Sequence, residues 1–177
     1  SAFLLKKNVK AVVVACNTAS SIAIPELRKK FDVPVIGVIL PGADMAVKET
    51  RNKRIGVIGT RATINNQAYS KAIKEIDNKI EVFEKACPLF VPIAEEGWTH
   101  HRATYEIAEE YLKELREKNI DTLVLGCTHY PILADVIQEV IGKDAKGRQI
   151  LEGARGGQYY INENGNKTYL KADKKLN

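Results

Sequence analysis

Two cysteines of this chain follow apolar runs in closely similar surroundings. Cys16 lies in the stretch VVVACNTAS at residues 12–20, and Cys127 lies in LVLGCTHYP at residues 123–131. Each stretch has about four apolar residues, one small residue, the cysteine and then two polar residues. The apolar run is typical of a buried strand, and the polar residues after it favour the start of a helix. A thiol at such a point could act as a nucleophile, a metal ligand or a base.

The matching surroundings of the two thiols favour a pair of bases. A single nucleophile would account for one cysteine only. A zinc site would need further ligands at short spacing, and Cys87, His129 and the histidine pair at 100–101 do not supply them, so we expect no metal. A lone buried cysteine is often just a small apolar side chain, but two in one context weaken that interpretation. Two thiols on opposite sides of a stereocentre could remove a proton from one face and return one to the other.

The chemistry of a thiol suits this exchange of protons. Its reference pKa of about 8.5 leaves both the thiol and the thiolate accessible near neutral pH. One thiol of the pair would be ionised while the other carries a proton.

The elements that must hold these residues follow an alternating pattern. Apolar runs recur, each followed by turn residues and a segment with helical spacing, which predicts an α/β fold of βα units around a parallel sheet. The predicted strands are 11–15, 35–38, 54–58, 80–85 and 122–125. The predicted helices are 20–30, 42–50, 64–76, 101–117 and 131–141. Ligands bind at the carboxyl ends of strands in such sheets, so both cysteines are expected where a substrate would lie.

The composition predicts a soluble protein of the cytoplasm. At 177 residues the chain can bury a core without disulfides, and its three cysteines form no CxxC pair. The third, Cys87, is interpreted as structural. No apolar run approaches the ~20 residues of a membrane-spanning helix. The net charge is +5, but basic residues up to 143 alternate with acidic ones as on solvated helix faces, so nucleic acid is not the expected partner.

Four stretches, in this order, resemble the glutamate racemases of the aspartate/glutamate racemase superfamily. They are ACNTAS at 15–20, GTRATINNQAY at 59–69, ACPLFVPIAEEGW at 86–98 and LGCTHYPIL at 125–133. The resemblance implies two α/β domains with glutamate bound between them. It also implies cofactor-independent racemisation of L-glutamate to D-glutamate for peptidoglycan synthesis. Other members of the superfamily act on aspartate, hydantoins or dicarboxylates, and the Cys-Thr-His-Tyr-Pro motif argues against these.

The resemblance further implies a role for each matching polar residue. Cys16 and Cys127 would be the two catalytic acid/bases. His129 would assist Cys127, and Glu96 would support the His129 side of the site. The residues that would hold the charged groups of the substrate are Asn17, Thr18 and Thr128.

The residues themselves leave alternatives at several positions. His129 could merely cap the helix that follows it. Glu95 and Glu96 precede a glycine and could both lie in a solvated loop. Thr60 and Thr63 could contact a substrate carboxylate, although N-capping of a helix accounts for them as well.

The resemblance covers residues 1–142 and departs from the family at both ends. The family's Asp-Ser-Gly motif and its Pro-Tyr-Gly loop do not occur in this sequence. We therefore expect residues 1–41 to form part of a first racemase domain and residues 42–142 to form a second, complete one. Full activity of this chain is a separate hypothesis. An incomplete sheet with an exposed edge predicts association, so a homo-oligomer is expected.

Residues 143–177 form the third predicted unit, a basic tail with a β-hairpin. The runs YYI at 159–161 and KTYL at 167–170 flank NENGN, and Asn-Gly favours a hairpin turn. From residue 144 onward seven Lys or Arg oppose four Asp or Glu, so +3 of the net +5 lies in the tail. The pattern resembles small basic modules of viral and phage proteins. A hairpin that only packs on the sheet edge is the plainer interpretation.

The tail supports an alternative function from another class. The chain would then be a non-catalytic binding protein that uses the racemase-like domain as a scaffold. Tyrosines and lysines of the tail would bind nucleic acid or a protein partner. A chimeric or truncated gene would account for both ends of the sequence together.

Overall fold

The computed structural model describes residues 2–142, 151–152, 158–161 and 167–169. Its α-helices are α1 (Ala2–Leu5), α2 (Asn17–Lys30), α3 (Ile39–Glu49), α4 (Arg61–Asn65), α5 (Ala68–Ile76), α6 (Phe90–Glu95), α7 (Arg102–Arg116) and α8 (Ala134–Ile141). Its strands are β1 (Val12–Val14), β2 (Val35–Gly37), β3 (Arg54–Gly59), β4 (Glu81–Ala86), β5 (Thr122–Gly126), β6 (Leu151–Glu152), β7 (Gln158–Ile161) and β8 (Lys167–Tyr169). A 3₁₀ helix spans Tyr130–Leu133.

The first five strands form two parallel sheets, which confirms the predicted α/β class. β1 pairs with β2, and β3 lies between β4 and β5. In the second sheet Gly59 is opposite both Ala86 and Gly126, so the carboxyl ends of the three strands are level. The residues that follow these ends, Thr60 and Cys127 among them, therefore start from one edge of the sheet.

Strand β3 is buried on both faces because helices cover the sheet from two sides. From Ile55 to Gly59 its residues are all buried, as expected for the central strand of a parallel sheet. Ile55 and Val57 pack in one apolar cluster with α3 and α5. Ile58 points to the opposite face and packs with α6, α7 and α8. The strand is thus held in place from both sides.

The structure divides one predicted helix. The expected helix 64–76 is two helices, α4 and α5, because Gln67 adopts a left-handed conformation with φ of 51°. The amide of Asn66 bonds back to the carbonyl of Ala62, which closes α4 before this break. Three consecutive amide side chains in INNQAY favour such a turn over a continuous helix.

One helix was not predicted, and another begins differently from the prediction. The helix α6 was not predicted, because its six residues include Pro92 and carry too few turns for a periodic pattern; proline is tolerated there since it lies in the first turn. The expected helix 131–141 begins instead as the 3₁₀ helix and becomes α-helical at Ala134. Within the described residues no helix is long and apolar enough to cross a membrane.

The tail contains antiparallel strands. β7 pairs with β8, with Tyr159 opposite Tyr169 and Ile161 opposite Lys167, which confirms the hairpin pairing. β6 adds a short third strand that was not predicted. The Asn-Gly turn at 162–166 lies outside the described residues. The division at residues 41 and 42 stays a prediction, and α3 continues the chain from one parallel sheet to the other.

Asp121 clamps the amino ends of the second sheet. Its carboxylate accepts hydrogen bonds from the Thr50 hydroxyl at 2.6 Å, the Arg51 and Asn52 N–H groups at 2.7 and 2.8 Å, and the Thr122 hydroxyl at 3.0 Å. Burial by itself raises the pKa of Asp121, but these hydrogen bonds outweigh it and hold the pKa below its usual range. The carboxylate thus joins the start of β5 to the loop before β3.

We expect Asp121→Asn to destabilise the fold by about 1–2 kcal/mol, since the neutral amide weakens the charge-assisted bonds and has one acceptor oxygen where the carboxylate has two. The pKa of Asp121 is lower in the folded chain than in the unfolded one. Its contribution is therefore complete above about pH 5 and is lost as the pH falls through the folded-state pKa. Thermal unfolding against pH should show the two proteins converging in acid. Asp44→Asn, which breaks only an exposed pair with Lys48, should change little at any pH.

Candidate active site

Cys16 lies at the start of helix α2, two residues after β1 ends. It is the N-cap residue, and its Sγ accepts the Ala19 N–H at 3.5 Å. The side chain is exposed. The first N–H groups of a helix of this length carry partial positive charge and favour an anion beside them. The thiol predicted from VVVACNTAS is therefore accessible and faces a helix N-terminus.

Cys127 has different surroundings, although it also follows a strand directly. Only 7% of its surface is exposed, whereas Cys16 is an exposed residue. Burial raises its pKa, while the N–H groups of His129, Tyr130 and Thr128 oppose that rise. Negative charge on Cys16 raises the pKa of Cys127 further. The two thiols are thus close enough for the charge of one to act on the other, across 110 residues of intervening chain.

A carboxylate and an imidazole extend the site on the Cys127 side. His129 Nδ1 is 3.7 Å from Cys127 Sγ, and its Nε2 is 3.2 Å from Glu95 Oε1. Glu96 was expected in this place, but the contact of His129 is to Glu95, and Glu96 is exposed at the end of α6. Consecutive helical residues point about 100° apart, so only one of the pair can face His129.

Three threonine hydroxyls meet where α2 approaches α4. Thr18 Oγ1 is 2.8 Å from Thr60 Oγ1 and 3.1 Å from Thr63 Oγ1, and the last two are 3.2 Å apart. Thr60 also caps α4 by accepting the Thr63 N–H. The capping role is therefore confirmed for Thr60 and not for Thr63, which lies within α4. Both residues also belong to the hydroxyl cluster. Thr18 is next but one to Cys16, so the cluster lies near that thiol.

The remaining predicted polar residues lie beside the two thiols. Asn17 is 7% exposed, and its Oδ1 accepts a hydrogen bond of 2.6 Å from the Tyr69 hydroxyl. Thr128 is exposed, and its N–H faces Cys127. The structure thus brings the predicted residues together around one site, apart from Glu96.

Two residues of this site were missed from the sequence, Glu95 and Tyr69. Local sequence offers no way to choose between two adjacent glutamates when the helix that carries them is not predicted. Tyr69 closes the stretch GTRATINNQAY, and a tyrosine on the apolar face of a helix needs a partner for its hydroxyl. That partner lies 52 residues away and cannot be read from the pattern.

Cys87 differs from the other two cysteines in its surroundings. It is fully buried, and burial raises the pKa of its thiol to about 12. Its backbone carbonyl accepts the Tyr130 hydroxyl at 2.8 Å. These contacts agree with a structural role. Among the described residues no cluster of three or more His, Cys, Asp or Glu side chains could hold a metal ion.

Family models match both parts of the chain. The model for Asp/Glu/hydantoin racemases matches residues 2–155. A second model, for a PBCV-specific basic adaptor domain, matches residues 142–175. The tail that resembled a small viral module thus has a family of its own.

Individual relatives match at high identity. A glutamate racemase of Geobacter metallireducens is 48% identical over 183 residues, covering 98% of this chain and 68% of that protein. One of Chlorobium phaeobacteroides is 53% identical over 147 residues, covering 82% of this chain and 54% of that protein.

Solved structures of glutamate racemases also match this chain. A glutamate racemase of Bacillus anthracis superposes with a TM-score of 0.76 at 41% identity, covering 80% of this chain and 53% of that one. The glutamate racemase of Francisella tularensis in complex with D-glutamate gives 0.73 at 40% identity, covering 78% and 52%. Apart from the Geobacter protein, this chain spans about half the length of these relatives.

Proposed function

The chain belongs to the Asp/Glu/hydantoin racemase family, and we propose that it inverts the Cα centre of glutamate with Cys16 and Cys127 as its two acid/bases. The observation that best supports this proposal is the contact of Thr18, next but one to Cys16, with Thr60 and Thr63, which follow a strand of the sheet that leads to Cys127. The electrostatic interaction of Cys16 with Cys127 agrees with it. An exchange of protons across a stereocentre requires two such groups near each other.

The reaction conserves protons over a complete turnover. One cysteine, as thiolate, removes the Cα proton from one face of glutamate and becomes a thiol. The other cysteine gives its proton to the opposite face and becomes a thiolate. Burial raises the pKa of Cys127 and so favours its protonated form. For one direction of the reaction we assign Cys127 as the proton donor and the exposed Cys16 as the base. In the reverse reaction the two roles exchange, and no cofactor takes part.

The polar residues beside the thiols would hold the substrate. Hydroxyl groups of the cluster formed by Thr18, Thr60 and Thr63 can donate hydrogen bonds to a carboxylate. Asn17 and Thr128, each next to a thiol, would bind the other charged groups. Donors aimed at the carboxylate also stabilise the negative charge that develops when the Cα proton leaves.

His129 and Glu95 would tune the Cys127 thiol. The imidazole can accept a proton from that thiol or return one, and the Glu95 carboxylate stabilises the imidazolium that forms. We therefore assign to Glu95 the supporting role that the sequence analysis gave to Glu96.

The choice of glutamate rests on the relatives. The relatives named above are glutamate racemases, and one was solved with D-glutamate. We propose a cytoplasmic enzyme that supplies D-glutamate for peptidoglycan. We also propose that it works as a homo-oligomer, because Val13 and Ile36 lie side by side in the first sheet with 62% and 46% of their surface exposed.

We expect the chain to exchange the Cα proton of D- and L-glutamate for deuterium in D₂O, followed by proton NMR. Cys16→Ala and Cys127→Ala should each abolish exchange or restrict it to one enantiomer, because each removes the group that serves one face. Cys87→Ala is the matched control and should keep exchange of both enantiomers, since that side chain is fully buried in an apolar cluster and has no assigned role in the reaction. A folded chain without exchange would contradict activity of this chain. Exchange that survives both site substitutions would contradict the thiol assignment.

Adjacent carboxylates allow a sharp test of the His129 contact. Glu95→Gln should lower the exchange rate at saturating glutamate by roughly tenfold or more, because the imidazolium loses its charged partner. Glu96→Gln removes the same charge one residue later and should leave the rate within about twofold. The assignment fails if the two substitutions have equal effects, or if their order is reversed.

The basic tail supports a second candidate function, binding of nucleic acid. Its support is the match to a basic adaptor domain and the excess of positive charge after residue 143. In this case the racemase-like part would be a scaffold, or would keep its own activity beside the tail.

We expect the intact chain to be retained on immobilised DNA or RNA at low salt and released steeply as salt rises. Changing lysines 171, 174 and 175 together to glutamine should weaken retention and flatten its salt dependence. The matched control changes the exposed lysines 6, 7 and 10 in the same way, with the same loss of charge. Equal loss in both triple variants, or no retention by the intact chain, would contradict a nucleic-acid role for the tail.

A further inference from the structure

Tyr69 lies between the two segments that carry the thiols. Its hydroxyl donates to Asn17, the residue after Cys16, at 2.6 Å. On the other side its ring packs against Gly126, the residue before Cys127: a Cβ built on that glycine would be 3.3 Å from Tyr69 Cε2. One side chain therefore contacts the chain neighbours of both thiols.

Two glycines pack closely against this tyrosine. A Cβ added to Gly42 in α3 would lie 3.0 Å from the Tyr69 hydroxyl oxygen and 3.1 Å from Cε1. A Cβ on Gly126 would lie 2.7 Å from the carbonyl oxygen of Ile58. The tyrosine ring thus fills the space that two glycines leave open, and it is 3% exposed.

The hydroxyl is a constant donor to Asn17. Burial raises the pKa of Tyr69 to about 12, so the phenol keeps its proton at any pH at which a thiol pair works. The bond joins α2 to α5, and both of its partners are buried. Other contacts of α2, such as those of Thr18 with Thr60 and of Ser21 with Asn66 at the two ends of α4, are partly open to solvent. Water competes least for the tyrosine bond.

We propose that Tyr69 is a positioning residue that sets the separation and facing of the Cys16 and Cys127 thiols. It acts through Asn17 on one side and through the backbone of Gly126 on the other, and it touches no reacting atom. The effect of Tyr69 on the rate of turnover rests on the proposed racemisation, whereas its effect on the distance between the two thiols does not. Reactions in which two groups must act on one carbon are sensitive to displacements of about 1 Å, so the loss of such a spacer slows turnover.

The first test measures geometry without any substrate. The intact chain is treated with dibromobimane, a short reagent that links two nearby thiols, and the linked peptides are identified by mass spectrometry. Tyr69→Phe keeps the ring against Gly126 and removes only the bond to Asn17. We expect it to lower the rate of Cys16–Cys127 linkage about fivefold or more. Tyr111→Phe is the matched control, because its hydroxyl accepts the Leu89 N–H elsewhere in the domain, and it should link at the wild-type rate.

The second test measures Cα exchange of glutamate. Tyr69→Phe should lower the maximal rate about tenfold or more while the KM changes less than the rate does, because the reacting groups are displaced. In an Asn17→Ala background Tyr69→Phe should have no further effect, since the bond is already absent. A purely structural role would lower the melting temperature and leave linkage and rate of the folded protein unchanged.

The outcomes separate this proposal from the racemisation itself. If the wild-type chain links its thiols but exchanges no proton, the proposed function fails, and the linkage ratio still decides the role of Tyr69. Wild-type linkage by folded Tyr69→Phe overturns the positioning role. If that variant does not fold, Asn17→Ala breaks the same bond from its other partner, and wild-type linkage there overturns the proposal equally. Absence of linkage in the wild-type chain would overturn the facing of the thiols on which it depends.

Discussion

The site depends on a close backbone approach at the carboxyl end of the second sheet. Gly126 ends β5 opposite Gly59 of β3, and any Cβ on Gly126 would lie 2.7 Å from the Ile58 carbonyl oxygen. Strand β3 cannot yield, because it is buried on both faces. The next residue, Cys127, therefore leaves the sheet from a fixed point, and glycine permits the approach by having no side chain.

The two thiols differ in exposure and in the groups that surround them. Cys16 is exposed at the first N–H groups of a long helix. Cys127 is buried, and burial raises its pKa against the opposing N–H groups around it. Surroundings this different allow the two thiols to take different roles in one direction of the reaction. In the proposed reaction the Glu95–His129 contact adds a second means of moving a proton on the buried side.

The contacts between α2 and the second sheet carry the geometry of the whole site. The threonine cluster and the Tyr69–Asn17 bond both cross this junction. Cys16 belongs to one sheet and Cys127 to the other, so their relative position depends on these side-chain contacts and on no shared strand. The tail adds a separate antiparallel unit with its own family match. Residues 144–177 carry +3 of the net charge of +5, against +2 for the 143 residues before them.

The sequence alone predicted the parallel strands, the position of each thiol directly after a strand and the polar residues that flank the thiols. Apolar runs and the polar residues after them are local patterns, and a strand end in a parallel sheet faces the ligand side whatever the rest of the chain does. Tertiary structure decided between Glu95 and Glu96, because the rotation of α6 depends on how its apolar face packs. It also decided the break at Gln67 and the partner of Tyr69. A hydrogen bond across 52 residues leaves no local pattern, since it arises only when two elements fold against each other.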